Sequence, residues 1–470
     1  MREAWARWLK VRETKRKVKK FFVEELSFVF ELVKWLLLAL ITGVIVGSFS
    51  ALFLRSLEVA SSIMADPGLW RLLFLPAGLL ASTFAIRISG LDSPHLRRDV
   101  AVQAVHDFKG LIPLRIAPVK MVASIFTIAV GGSAGRVGPC AQIGAALMSG
   151  ISTSTGFNAR DRRKLVVCGI SSGFAAVFGT PVAGAVFGLE VLLMGQMLYD
   201  VLLPSFVSSI VSYHTALFLG IPYKVAAFVE IPAFTPSVLG IVILAGVFFG
   251  FVSLFHIEML ASLERLAKKI PLGPYKKALF GSALLLLIWE LFGEMYLGLG
   301  ESTIIEIFHG GFVPVYAFAV KSLATGVTLA FGGAGGVLTP TFFVGTTAGS
   351  TFASILHLDP VFYSVLGFVG VLAGSANTPI AAVFLATELF GVQAGAFAAV
   401  VSVVSFALSG HRSLYPSQIL ARSKAPLPGY RNVQSADETV SGVINGESAL
   451  AKLLRWWGLL KQSRSRHKGA

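Results

Sequence analysis

Apolar stretches long enough to cross a membrane recur along this 470-residue chain, and they are of two kinds. Uninterrupted runs, among them Trp35 to Leu54, Val201 to Gly220 and Ser237 to Phe255, read as helices crossing roughly 30 Å of hydrocarbon. Others, such as Phe331 to Phe352, are equally apolar but interrupted by glycine and proline. Broken helices are tolerated at membrane depth only where their freed backbone groups are buried in protein or line a polar cavity. The pattern predicts an all-α, polytopic membrane protein with broken and re-entrant helices around a pathway or binding site.

The pattern also repeats. With a shift of 201 residues, VKMVASIFTIAVGGSAGRVGPCAQIG from Val119 aligns with VKSLATGVTLAFGGAGGVLTPTFFVG from Val320, ten of 26 positions being identical. The matches include Lys120 with Lys321 and Pro139 with Pro340. At a shift of 198, GTPVAGAVFGLEV resembles NTPIAAVFLATEL, each with a glutamate, Glu190 or Glu388, nine residues after its proline. Residues 31–225 and 226–425 are read as two homologous membrane repeats. Loop charge gives their relative orientation, because Lys and Arg are retained on the cytoplasmic side. The loop with Arg160, Arg162, Arg163 and Lys164 has a counterpart, DPVFYSV, without a base. The basic stretch ERLAKKIPLGPYKK has a nearly neutral counterpart in the first half. Opposite charge at equivalent loops is the mark of an inverted-topology repeat, which brings broken helices together near the midplane.

Composition sharpens this picture. The chain is 55% hydrophobic and 14% charged, with a net charge of +15 concentrated in tails and loops beside apolar spans. Membrane lipid, not nucleic acid, is the expected partner of that charge. Residues 1–30 read as a basic cytoplasmic surface helix and 426–470 as a basic cytoplasmic tail with Trp456 and Trp457 at interfacial depth. The expected location is the inner cell membrane, with both termini cytoplasmic. Cys140 and Cys168 sit in apolar context and suggest neither a disulfide framework nor a metal site.

The two glycine segments supply the chemistry. Proline in a first helical turn lacks only an N–H that would be unpaired anyway, so Pro139 and Pro340 mark helix starts inside the membrane. Such a start presents free N–H groups and about half a positive charge. No Asp or Glu lies within either segment, while Lys120, Lys321 and Arg136 lie in or beside them. A cation pathway would be expected to carry carboxylates there. The expected ligand is a small inorganic anion, with no other cofactor. A GxSxG match at Gly169 to Gly173 offers an enzyme reading, but Ser171 lies in an apolar segment with no histidine partner in sight. Small residues at a helix contact explain that match better. His106 and Asp107 read as polar loop residues.

These segments resemble the CLC family of chloride channels and chloride/proton exchangers. GRVGP (Gly135 to Pro139) resembles that family's G-(K/R)-E-G-P motif and GVLTP (Gly336 to Pro340) its G-(I/F)-F-x-P motif. SLYPSQILAR resembles its pore-tyrosine segment, and GLDSP, more weakly, its G-S-G-I-P motif. The likeness runs from about Phe30 to Ala425 and implies a homodimer with one anion pathway per subunit. It implies a central anion site formed by the N–H groups of Val337 and Leu338 beside Gly336, with the hydroxyl of Tyr415. It implies an outer site at the backbone of Val137 and Gly138, with Arg136 facing the vestibule and Lys120 adding positive potential from behind.

Three positions depart from the family pattern. Val137 stands where the family has its gating glutamate, and valine cannot titrate. Val191 stands where it has an inner proton-relay glutamate, with Glu190 one residue earlier. Leu91 stands at the filter serine, with Ser93 nearby as a substitute. The first two departures predict channel-like anion permeation without proton coupling, and the third leaves selectivity among chloride, bromide, nitrate and fluoride open. An anion/proton exchanger using other residues, and a non-transporting scaffold that keeps the fold, are the alternatives.

Overall fold

The computed structural model describes residues 2–64, 70–90, 99–223, 229–421, 424 and 434–435. Among them sixteen α-helices fall into two series of eight. The first series is α1 (Arg2–Ile63), α2 (Trp70–Ile88), α3 (Val100–Asp107), α4 (Ile116–Ala129), α5 (Val137–Ser154), α6 (Ala159–Phe178), α7 (Pro181–Glu190) and α8 (Leu202–Phe218). The second is α9 (Pro236–Lys269), α10 (Pro274–Phe292), α11 (Glu301–Phe308), α12 (Ala317–Ala330), α13 (Leu338–Leu356), α14 (Pro360–Ala376), α15 (Pro379–Phe390) and α16 (Val392–Leu408). Each helix of the second half thus has a counterpart eight places earlier. Packing obeys the same rule: α5 lies on α6 as α13 lies on α14, and α1 on α8 as α9 on α16. The fold is all-α, in two inverted halves. Three two-residue strands, β1 (Leu193–Met194), β2 (Ile419–Leu420) and β3 (Gln434–Ser435), tie the ends of the two halves in the order β1-β2-β3.

The membrane helices show why this sequence folds as it does. Glu24–Ile63, Tyr199–Phe218 and Pro236–Lys269 are long and apolar enough to span, matching the uninterrupted runs. Two of the shorter apolar helices, Ile116–Ala129 and Ala317–Ala330, lead into the glycine segments, and helix resumes at Val137 and Leu338. The N-terminal basic stretch and the first span form one unbroken 62-residue helix, α1. The reason is local: no glycine or proline occurs between Arg2 and Thr42, so nothing in that stretch breaks the helix. Of the 426–470 tail only Gln434–Ser435 is described, paired antiparallel with β2.

Ion pairs show which helix ends lie together. Lys34 near the start of the first span meets Asp161 at 3.1 Å, and Lys164 meets Asp200 at 3.2 Å. The basic loop before α6 therefore lies beside the early part of the Glu24–Ile63 span, around Lys34, and beside the start of α8. The C-terminal ends of α1, α6 and α8 reach the opposite face.

Candidate functional site

The two glycine segments meet. The Gly135 N–H donates to the Gly336 carbonyl and the Gly336 N–H to the Gly135 carbonyl, both at 2.7 Å, as an isolated antiparallel bridge. A second reciprocal pair frames it: the Ser133 N–H donates to Thr328 Oγ1 at 3.0 Å, and the Ala334 N–H to Thr127 Oγ1 at 2.9 Å. Each donor and each acceptor is 201 positions from its partner's equivalent, so the contact has the form of a local twofold axis. Glycine is required by proximity. A Cβ on Gly138 would lie 2.6 Å from Gly336 Cα, and one on Gly336 would lie 2.6 Å from the Gly138 nitrogen.

From this junction α5 and α13 run outward, each with its proline in the first turn. Arg136 and Val337 are the N-cap residues, and neither helix start is capped by the side chain of its N-cap residue. The first amide groups of a helix have no acceptor in their own helix, so two sets of N–H donors converge with the positive ends of two dipoles. Val137, Val337 and Leu338 are all buried. The chain places no carboxylate at Val137, and the N-terminal turns of both helices hold none.

Tyr415 is reached from elsewhere. It is 7% exposed and lies on an irregular strap after α16. The strap is fastened by the Ser417 N–H donating to Asp99 Oδ2 at 2.8 Å and the Leu414 N–H donating to the Ser375 carbonyl at 2.9 Å. Gln418 fastens it further, its Nε2 donating to the Val191 carbonyl at 2.9 Å and its Oε1 accepting from Asn377 Nδ2 at 3.0 Å. Val191 itself is buried at the end of α7. Leu91 and Ser93 lie outside the described residues.

Glu190 and Glu388 form a third reciprocal pair. Glu190 accepts from the N–H groups of Ile380 and Ala381 at 3.2 and 2.9 Å, and Glu388 accepts from those of Val182 and Ala183 at 3.0 and 2.8 Å. Each carboxylate caps the other half's helix, α15 or α7, where orphan donors and the dipole both favour negative charge. Lys120 is buried on α4. Lys321, its counterpart on α12, donates to the carbonyls of Tyr296 and Gly298 at 3.1 and 2.9 Å.

Above the junction, on the face opposite the basic loop, lies a cavity of about 490 Å³. Its floor includes Arg136, Thr339 and Phe342, and its walls include Phe178, Phe308, Phe368 and Phe390. The five rings form one connected group: Phe342 stacks on Phe368 at 4.2 Å, with Phe178, Phe308 and Phe390 in edge-on or tilted contact. Arg136 Nε faces Glu301 Oε1 at 2.9 Å. Sequence reasoning missed Glu301, Asp99 and Gln418. None lies in a glycine segment, and each reaches the site through chain folding. The GxSxG serine is explained by packing: Ser171 Oγ contacts the Ala185 carbonyl at 3.3 Å, where α6 lies against α7 at Gly188.

Residues 78–410 match the family described as "Voltage gated chloride channel". The chain is 34% identical over 420 residues to a "Chloride/fluoride channel protein" of Pseudomonas syringae pv. tomato, covering 86% of this chain and 91% of that one. It is 23% identical over 398 residues to the "H(+)/Cl(-) exchange transporter ClcA" of Vibrio cholerae, covering 75% and 81%. Among solved structures, a CLC-type fluoride/proton antiporter superposes with a TM-score of 0.78 at 29% identity, over 83% of this chain and 98% of that one. A slow cyanobacterial Cl-/H+ antiporter shares the fold with a TM-score of 0.70 at 17% identity, over 80% and 94%.

Proposed function

The chain belongs to the voltage-gated chloride channel (CLC) family, and from that premise we propose that it passes a small inorganic anion across a membrane by electrodiffusion, without obligatory proton movement. The observation that carries this reading is the Gly135–Gly336 junction, where two helix N-termini converge beside a valine, Val137. Converging N–H donors favour an anion at modest affinity, because partial charges attract without trapping. An exchanger needs a carboxylate that competes with the anion and carries a proton. Val137 and Val191 hold none, and both oxygens of Glu190 are occupied as a helix cap.

The anion sites in this reading use the backbone of Val137 and Gly138 on the outer side, and Gly336, Val337, Leu338 and the Tyr415 hydroxyl centrally. Arg136 and Lys120 supply positive potential, which salt screens at the exposed end. The working unit is a homodimer in the inner cell membrane, with both termini cytoplasmic and no enzymatic step. A coupled exchanger is the second reading, and the 29% identity to a fluoride/proton antiporter structure favours it.

Liposomes loaded with the purified protein and a chloride gradient separate the two. The expected result is chloride efflux that tracks the electrochemical gradient with no uphill proton uptake, and fluoride efflux is measured in parallel. Proton accumulation against its own gradient, driven by the anion, would overturn the uncoupled reading.

A further inference from the structure

His256 lies on α9, fully buried, and both of its ring nitrogens contact side-chain hydroxyls. Nδ1 is 2.9 Å from Ser322 Oγ on α12, and Nε2 is 3.2 Å from Thr341 Oγ1 on α13. Each hydroxyl also reaches back along its own helix, Ser322 Oγ to the Phe318 carbonyl at 2.7 Å and Thr341 Oγ1 to the Val337 carbonyl at 2.8 Å. The ring thus joins three helices and ends, through Thr341, on the N-cap residue of α13. A neutral imidazole carries one N–H and one bare nitrogen, and each hydroxyl carries one hydrogen. Three hydrogens serve four contacts, so one contact always goes without. With the hydrogen on Nε2, His256 donates to Thr341 and accepts from Ser322; the Thr341 hydrogen stays on the Val337 carbonyl, and the Phe318 carbonyl loses its hydroxyl. With the hydrogen on Nδ1, His256 donates to Ser322 and accepts from Thr341, and the loss falls on Val337. The tautomer decides which carbonyl is served.

The Val337 carbonyl belongs to the same peptide unit as the Leu338 N–H, one of the two donors assigned above to the central anion. It already accepts from the Thr341 N–H at 3.0 Å, and the hydroxyl adds a second bond at the same oxygen. Hydrogen bonds in series polarise one another, so a donor on the carbonyl strengthens the N–H at the other end of the peptide. The relay has no copy in the first half. There, 201 positions earlier, Ser322 and Thr341 correspond to Met121 and Cys140, which carry no hydroxyl.

We propose that His256 is a positioning residue for anion binding: as the Nε2–H tautomer it holds the Thr341 hydroxyl on the Val337 carbonyl and so strengthens the Leu338 N–H offered to the anion. The inference rests on the anion site proposed at Val337 and Leu338, and adds to it a group that touches no anion itself. By linkage, a bound anion favours the Nε2–H tautomer in return. The effect is one of degree. Polarisation of about 10–30% on a hydrogen bond to a charged group corresponds to about threefold in affinity.

Two substitutions separate this role from packing alone. His256→Gln puts an amide N–H near the place of Nε2 and gives up Ser322, whereas His256→Asn, one methylene shorter, reaches Ser322 and gives up Thr341. Calorimetric titration of the full-length protein with sodium chloride, and separately with sodium fluoride, reads the affinity. His256→Gln is expected to bind as the native protein does, and His256→Asn and Thr341→Val about threefold more weakly. Native affinity in His256→Asn, or equal weakening in His256→Gln and His256→Asn, overturns the proposal. Nitrogen-15 NMR of the native protein with labelled histidine gives a readout that packing does not move, because protonated and bare ring nitrogens resonate in separate regions. The His256 signals are those absent from either variant. With saturating anion, Nε2 is expected to be protonated and Nδ1 bare; any other pattern overturns the proposal and leaves the anion site standing. Binding of neither anion by the native protein overturns the anion site itself, and this inference with it.

Discussion

Two carboxylate arrangements in this molecule invite comparison. Glu190 and Glu388 cap each other's half and are related by the repeat, donor for donor and acceptor for acceptor. The Arg136–Glu301 pair has no such mate: 201 positions away, the equivalents are Val337 and Val100, both buried and uncharged. Features kept by both halves hold the halves together, because the repeat's local twofold makes any contact across it count twice. The feature found in one half alone lies at the cavity, where a pathway needs an outside and an inside that differ. The same contrast separates the glycine junction, which is symmetric in its backbone, from its side chains. Arg136 and Val137 on one side correspond to Val337 and Leu338 on the other.

That division can be broken at graded cost. The largest effect is expected from Gly336→Val, which puts a Cβ 2.6 Å from the Gly138 nitrogen and forces the junction apart. Overpacking of this kind costs about 1–3 kcal/mol, and flux is expected to fall by at least about tenfold, read in liposomes beside a thermal unfolding curve. Full activity in a stably folded Gly336→Val would mean that the symmetric backbone contact is not the pathway.

Val137→Glu should come next. A carboxylate at the mouth competes with the anion when ionised, so flux is lost as pH rises through its pKa and regained as pH falls below it. The reference pKa is about 4.3, and a profile from about pH 4 to 8 is the measurement. Flux that stays constant across that range would show that residue 137 is not at the anion's entrance.

Glu190→Ala and Glu388→Ala probe the symmetric pair. Each removes a cap from the opposite half's helix, at about 1 kcal/mol. Both should lower the unfolding midpoint by similar amounts, while flux per folded protein stays as in the native chain. Loss of transport in Glu190→Ala with folding intact would reassign Glu190 from a cap to part of the pathway.

Much of the architecture was legible before any coordinates. A 201-residue self-match, prolines that open helices and basic loops at alternating faces rest on local rules of backbone geometry and membrane insertion. Such rules act within a few residues and so leave marks in the linear chain. The break between Ala129 and Val137, and its copy between Ala330 and Leu338, could be read from glycine and proline alone. The continuity of the basic N-terminal stretch with the first span follows from a backbone that has no glycine or proline from Arg2 to Thr42.

The sequence by itself thus determined the all-α class, the two halves and the identity of the helix starts that face each other. Only the tertiary structure decided which side chains meet there. Asp99 fastens the strap of Tyr415, Gln418 reaches the carbonyl of Val191, and Glu301 stands against Arg136. These partners are separated by many helices in the chain. No periodicity or motif joins them, because a contact between distant residues is fixed by how helices pack and not by what either neighbourhood prefers on its own.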